Sequence, residues 1–144
     1  MTYSFGARSE NLLGGVHPEL QRLAREAIRT CPFDFAVTEG ARDAETQAQK
    51  FAEGKSKVKI SKHQAVPSQA VHLDPYPVLY PQDSDSPMIK TKKYARYYML
   101  SMHVRGTAAR LGIPIRWGGA WDGSYDILNN KFDDLAHYEL GSPK

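Results

Sequence analysis

The sequence predicts an α+β domain in which about three helices flank a small, largely antiparallel sheet. Apolar residues recur at helical spacing in some segments and alternate at strand spacing in others, which separates the two kinds of element. These segments are intermixed along the chain and several of the connections are short. At 144 residues and with no internal repeat, the chain is expected to form one domain over 1–144.

From Pro18 to Thr30, Leu20, Leu23, Ala24, Ala27 and Ile28 form one apolar stripe, with proline in the first turn and Pro32 beyond the end, which predicts an amphipathic helix. Phe33, Phe35 and Val37 then alternate as in a half-buried strand that runs to Thr38, with a turn at Glu39-Gly40. A second helix spans about Ala44 to Glu53 and ends at Gly54. Lys55 to Ser86 is rich in Pro, Ser, Gln and Asp, and only Gln69 to Asp74 reads there as a strand. Tyr97, Leu100, Val104, Ala108 and Leu111 mark a third helix, about Ser86 to Leu111, closed by Gly112. Ile113, Ile115 and Trp117 alternate as a strand. A Gly/Asp/Asn loop leads to Asp133, and His137 to Leu140 forms the last strand.

A composition of 41% hydrophobic and 24% charged residues is that of a soluble globular protein. No apolar run approaches the roughly 18 residues of a membrane span, so membrane insertion is not expected. The first fifteen residues include polar Ser4, Arg8, Ser9, Glu10 and Asn11, and they lack the apolar core of a secretory signal. Synthesis in the cytoplasm without that export route is expected. The single cysteine, Cys31, excludes an intrachain disulfide and has no adjacent basic activator, so it reads as a semi-buried filler. The net charge of +3 favours a polyanionic partner. Lys55, Lys57, Lys59 and Lys62 alternate along a loop, and Lys90, Lys92 and Lys93 open a helix. No nucleic-acid motif accompanies them, which leaves an anionic cell wall or a solvated basic face.

The residues able to do chemistry fall in two places. Alternate strand residues share a face, so Ala70, His72 and Asp74 point one way in their strand, as do His137 and Glu139 in the last one. If these strands are neighbours, His72 and His137 converge, and His63 joins them from the preceding loop. Three imidazoles form a sound zinc set with a position left open for water. His17, before a helix proline, and His103, in mid-helix, read as structural. Asp134, three residues before His137, is a candidate general base, because that role needs a carboxylate within reach of the attacking water. Asp122 to Asp126 has oxygen side chains at alternate positions but lacks the glycine and glutamate of a calcium loop, and a polar turn is the favoured reading.

Several ordered motifs also resemble the zinc peptidases of the D-Ala-D-Ala carboxypeptidase and L-alanyl-D-glutamate endopeptidase family, which cleave peptidoglycan peptides. Its Ser-x-His, Ala-Val-Asp and Pro-Tyr-Pro pattern is matched by Ser61, His63, Ala70, Val71 and Pro75-Tyr76-Pro77. Its second motif is matched by Asp134, His137, Tyr138, Glu139 and Leu140. Glu39-Gly40-Ala41-Arg42 resembles the segment that presents a substrate-binding arginine, and Trp117-Gly118-Gly119 with Trp121 resembles the family's Trp-Gly-Gly-Asp-Trp. Tyr3 to Ser9 resembles the start of single-domain phage endolysins. The similarity runs from about Phe5 to Leu140.

The resemblance implies a hedgehog/DD-peptidase-like α+β fold, Zn2+ held by His63, His137 and an acidic third ligand, a base at Asp134, and Arg42 on a substrate carboxylate or the oxyanion. Two positions depart from it: His72 stands where the family has its aspartate ligand, and Ala120 stands for the aspartate of Trp-Gly-Gly-Asp-Trp. Neutral imidazole in place of carboxylate leaves the metal one unit more positive. His72 is expected to be the third ligand ahead of Asp74, which would require the strand to slip. The implied activity is that of an endolysin, made in the host cytoplasm and cutting the L-alanyl-D-glutamate bond of the stem peptide once it reaches the wall; a monomer of one zinc peptidase catalytic domain, without a separate cell-wall-binding domain, is expected. The alternatives are a D-Ala-D-Ala carboxypeptidase or dipeptidase and an impaired wall-binding module.

Overall fold

The computed structural model describes residues 2–41, 44–55, 62–64 and 66–141, with 44–47 by their backbone alone. Among these, the elements run α1 (Ala7–Leu13), α2 (Pro18–Thr30), β1 (Phe35–Glu39), α3 (Ala44–Ala52), β2 (Ala70–Pro75), α4 (Pro87–Leu111), β3 (Ile115–Gly118) and β4 (Asp134–Leu140), with short 3-10 turns at Lys62–Gln64 and Ile127–Asn129. The four strands form one sheet in the order β1-β2-β4-β3, with every neighbouring pair antiparallel. The α+β class with a small antiparallel sheet is therefore as expected. The structure adds a fourth helix, α1.

The helices form where end signals and apolar stripes agree. His17 caps α2, its Nδ1 accepting the Glu19 N–H at 3.1 Å, and Pro18 follows in the first turn. Ser86 caps α4 by accepting the Ile89 N–H at 3.2 Å. Gly112, in the left-handed region at φ 72°, ends that helix, and the Ile113 N–H bonds back to the Ala108 carbonyl at 2.9 Å. The stripe of α2 (Leu20, Leu23, Ala24, Ala27, Ile28) packs on α4 through Leu100, Val104 and Ala108, and both close over Phe35, Val37, Val71, Leu73, Trp117 and Tyr138 of the sheet. Each large apolar side chain buried there contributes about 1.5–3 kcal/mol.

The boundaries differ from expectation where tertiary contacts set them. Phe33 lies before β1, and Glu39, expected in a turn, belongs to the strand. Helix α1 buries only Ser9 and Leu13, too few to print a stripe in the sequence. It covers the outer edge of β1, where the Ser9 hydroxyl accepts the Val37 N–H at 3.0 Å and so satisfies part of an exposed strand edge. Strand β4 begins at Asp134 rather than His137.

Candidate metal centre

The central strands β2 and β4 place His72 directly opposite His137. Alternation turns the neighbouring pair, Val71 and Tyr138, toward the core, where both are fully buried, so the two imidazoles share the other face. His63 comes from the 3-10 turn Lys62–Gln64 and is buried. That turn is tied to the sheet by the Gln69 N–H on the Lys62 carbonyl at 2.9 Å and by Lys62 Nζ donating to the Leu140 carbonyl at 2.5 Å. The ring centroids lie 4.8 Å (His63–His72), 5.1 Å (His63–His137) and 5.4 Å (His72–His137) apart. One nitrogen from each ring lies within 4.8 Å of the others, a spacing at which a metal ion could be held.

Each imidazole also has an oxygen partner on its outer side. His63 Nδ1 lies 2.6 Å from the Gly40 carbonyl, which can only accept, so Nδ1 carries the proton and Nε2 the lone pair. His137 Nε2 lies 2.8 Å from Glu139 Oε1, and His72 Nδ1 lies 3.3 Å from Glu39 Oε2. With His137 Nε2 donating to Glu139 and His72 Nδ1 turned toward Glu39, His137 Nδ1 and His72 Nε2 face each other at 3.3 Å. Outer acceptors that fix the tautomer are the usual companions of metal-bound histidine, and the donor set fits a divalent cation. Burial pushes the Glu139 carboxyl up, but hydrogen bonds and charge from His137 and Lys62 outweigh it and leave the group below its usual range. Arg116 lies 3.7 Å from the same carboxylate.

Asp134 Oδ2 lies 3.8 Å from both His72 Nε2 and His137 Nδ1. Simple alternation would turn Asp134 away from His137. The β3–β4 pairing jumps from Trp117↔Tyr138 to Gly118↔Asp134, however, and this irregularity re-aims the side chain. Gly118 permits it, because a Cβ there would sit 2.0 Å from the Asp134 carbonyl oxygen.

The remaining candidates separate clearly. Asp74 is buried away from the cluster, its carboxylate accepting the Thr38 hydroxyl and, at 2.6 Å, that of Tyr97. Burial and the bond to Asp74 push the Tyr97 phenol up, so it stays a donor. Arg42 and Ser61 lie outside the described residues. His17 is the α2 cap, and His103 Nε2 joins the Ala27 carbonyl at 2.9 Å, so both are structural. Cys31 is buried and burial pushes its thiol up. In the 122–126 loop, Asp122 Oδ1 accepts the Ser124 N–H and Arg105 takes the carbonyls of Gly123 and Ser124, which makes a polar turn. Ala120 is buried in the tight turn where its N–H meets the Trp117 carbonyl. Glu39 and Gly40 went unrecognised as supports of the histidines, because a strand bulge sets their position.

A model of the phage L-alanyl-D-glutamate peptidase family matches residues 1–141. The L-alanyl-D-glutamate peptidase of Escherichia phage T5 is 30% identical, with 97% of this chain and 99% of that protein covered. The crystal structure of the Serratia marcescens L-Ala D-Glu endopeptidase ChiX superposes with a TM-score of 0.71 at 29% identity, over 96% of this chain and 90% of that one.

Proposed function

Because the chain belongs to the phage L-alanyl-D-glutamate peptidase family, we propose that it is a peptidoglycan hydrolase cutting between L-alanine and D-glutamate of the stem peptide. The observation that carries the chemistry is the set of three imidazoles, each held from outside and offering one nitrogen inward. We assign His63, His72 and His137 as ligands of Zn2+, whose catalytic sites pair three protein ligands such as imidazoles with an open position. Held by these three imidazoles, the metal would supply Lewis acidity toward the scissile carbonyl and lower the pKa of water.

The protein's own groups do the rest. Asp134, beside two of the imidazoles, accepts the proton of the attacking water and returns it to the leaving amine. Arg42 follows Glu39-Gly40 in sequence, and its guanidinium suits the D-glutamate carboxylate or the developing oxyanion. The 144 residues act as one catalytic domain and a monomer, made in the host cytoplasm and working on the cell wall at lysis. No described helix is long and apolar enough to cross a membrane.

Mass spectrometry of purified sacculi after digestion tests the bond. New peptides that begin with D-glutamate are expected. Products that have lost only a terminal D-alanine would mean a carboxypeptidase, and binding without new amino groups would mean a wall-binding module.

A further inference from the structure

Antiparallel β1 and β2 pair as Phe35↔Pro75, Ala36↔Asp74 and Val37↔Leu73, and continuing this register would set Thr38 opposite His72. The register instead shifts between Val37 and Glu39, so that Glu39 is the cross-strand partner of His72. A bulge of this kind re-aims a side chain, and here it brings a carboxylate oxygen to 3.3 Å from the His72 ring. Thr38, the residue passed over, turns its hydroxyl to the buried Asp74. Gly40 follows directly and gives its carbonyl to His63, so the end of β1 supports two of the three imidazoles.

We propose that Glu39 is a positioning residue which makes His72 an adequate metal ligand in place of a carboxylate. The inference rests on the metal reading above. A carboxylate accepting the His72 Nδ1–H fixes the tautomer, aims Nε2 at the metal and raises the basicity of the ring. It also restores beside the ligand the negative charge that a neutral imidazole lacks. Charge and orientation thus come from two residues on neighbouring strands. If the ligand at this position were itself a carboxylate, it would offer no N–H for the glutamate to orient, and only the weaker through-space attraction between Glu39 and the metal would remain.

That dependence on the imidazole is the test. Zinc affinity is measured by competition with a chromophoric chelator for the parent, Glu39→Gln, His72→Asp and the double variant, with circular dichroism as the check on folding. Glu39→Gln should lower zinc affinity about tenfold to a hundredfold in the parent background. In the His72→Asp background the loss should be several-fold smaller, because no ring remains for Glu39 to orient. Glu39→Asp, which keeps the charge on a shorter arm, should recover part of the loss. Unchanged affinity in Glu39→Gln, or equal losses in both backgrounds, would overturn the proposal while leaving the metal centre in place. A parent that takes up no zinc would overturn the metal reading, and this inference with it.

Discussion

On the proposed function, single side chains divide into three that would hold the metal, His63, His72 and His137, and one that would move protons, Asp134. His63, His72 and His137 were legible in the sequence because strand alternation and family spacing pointed to them together. Their outer partners were less so: Glu139 shares a strand face with His137, whereas Glu39 and Gly40 reach their histidines only through the pairing of β1 with β2. Asp134 was legible from its spacing to His137, but its orientation depends on an irregular register that no periodicity prints. The division predicts different phenotypes. Asp134→Asn keeps the size of the side chain and removes its basicity, so it should retain zinc while sacculus hydrolysis falls about a hundredfold to ten-thousandfold. His137→Ala should lose zinc and hydrolysis together. Parental turnover in Asp134→Asn would move the base elsewhere, with Glu139 the next residue to test.

At the scale of elements, the helices with caps and full stripes, α2 and α4, were legible, and α1 was not. It covers the edge of β1 through Ser9, and its Leu12 carbonyl lies close to Gly40. A Cβ on Gly40 would lie 2.4 Å from the Leu12 carbonyl oxygen and 3.1 Å from Val16 Cγ2, backbone and branched contacts that have little room to yield. Gly40→Ala should therefore push α1 from the sheet edge, at a cost of about 1–3 kcal/mol in urea unfolding. Because the same residue supports His63, zinc affinity should fall with it. A stable Gly40→Ala variant with parental zinc affinity would show that α1 moves freely and that the His63 support is dispensable.

For the molecule as a whole, the site joins two paired central strands, β2 and β4, to the Lys62–Gln64 turn that precedes β2. The core on one face of the sheet is continuous from α2 through α4 to Val71 and Tyr138, and its burial patterns were readable because apolar periodicity reports packing. The opposite face gathers β1, β2, β4 and the Lys62–Gln64 turn around polar groups, and nothing periodic in the sequence describes that assembly. A metal held by residues from β2, β4 and the turn links them only in the folded state, so binding adds directly to stability. At free zinc one hundred times its dissociation constant the gain is about 2.7 kcal/mol. For a domain of this size, each kcal/mol moves the melting temperature by roughly 2–4 °C. Chelation should thus lower the melting temperature by about 5–11 °C, zinc should restore it, and His137→Ala should melt at one temperature with or without the ion. Equal melting temperatures of the parent with zinc and with chelator would mean that the three imidazoles hold no metal, leaving the cluster to hydrogen bonds alone.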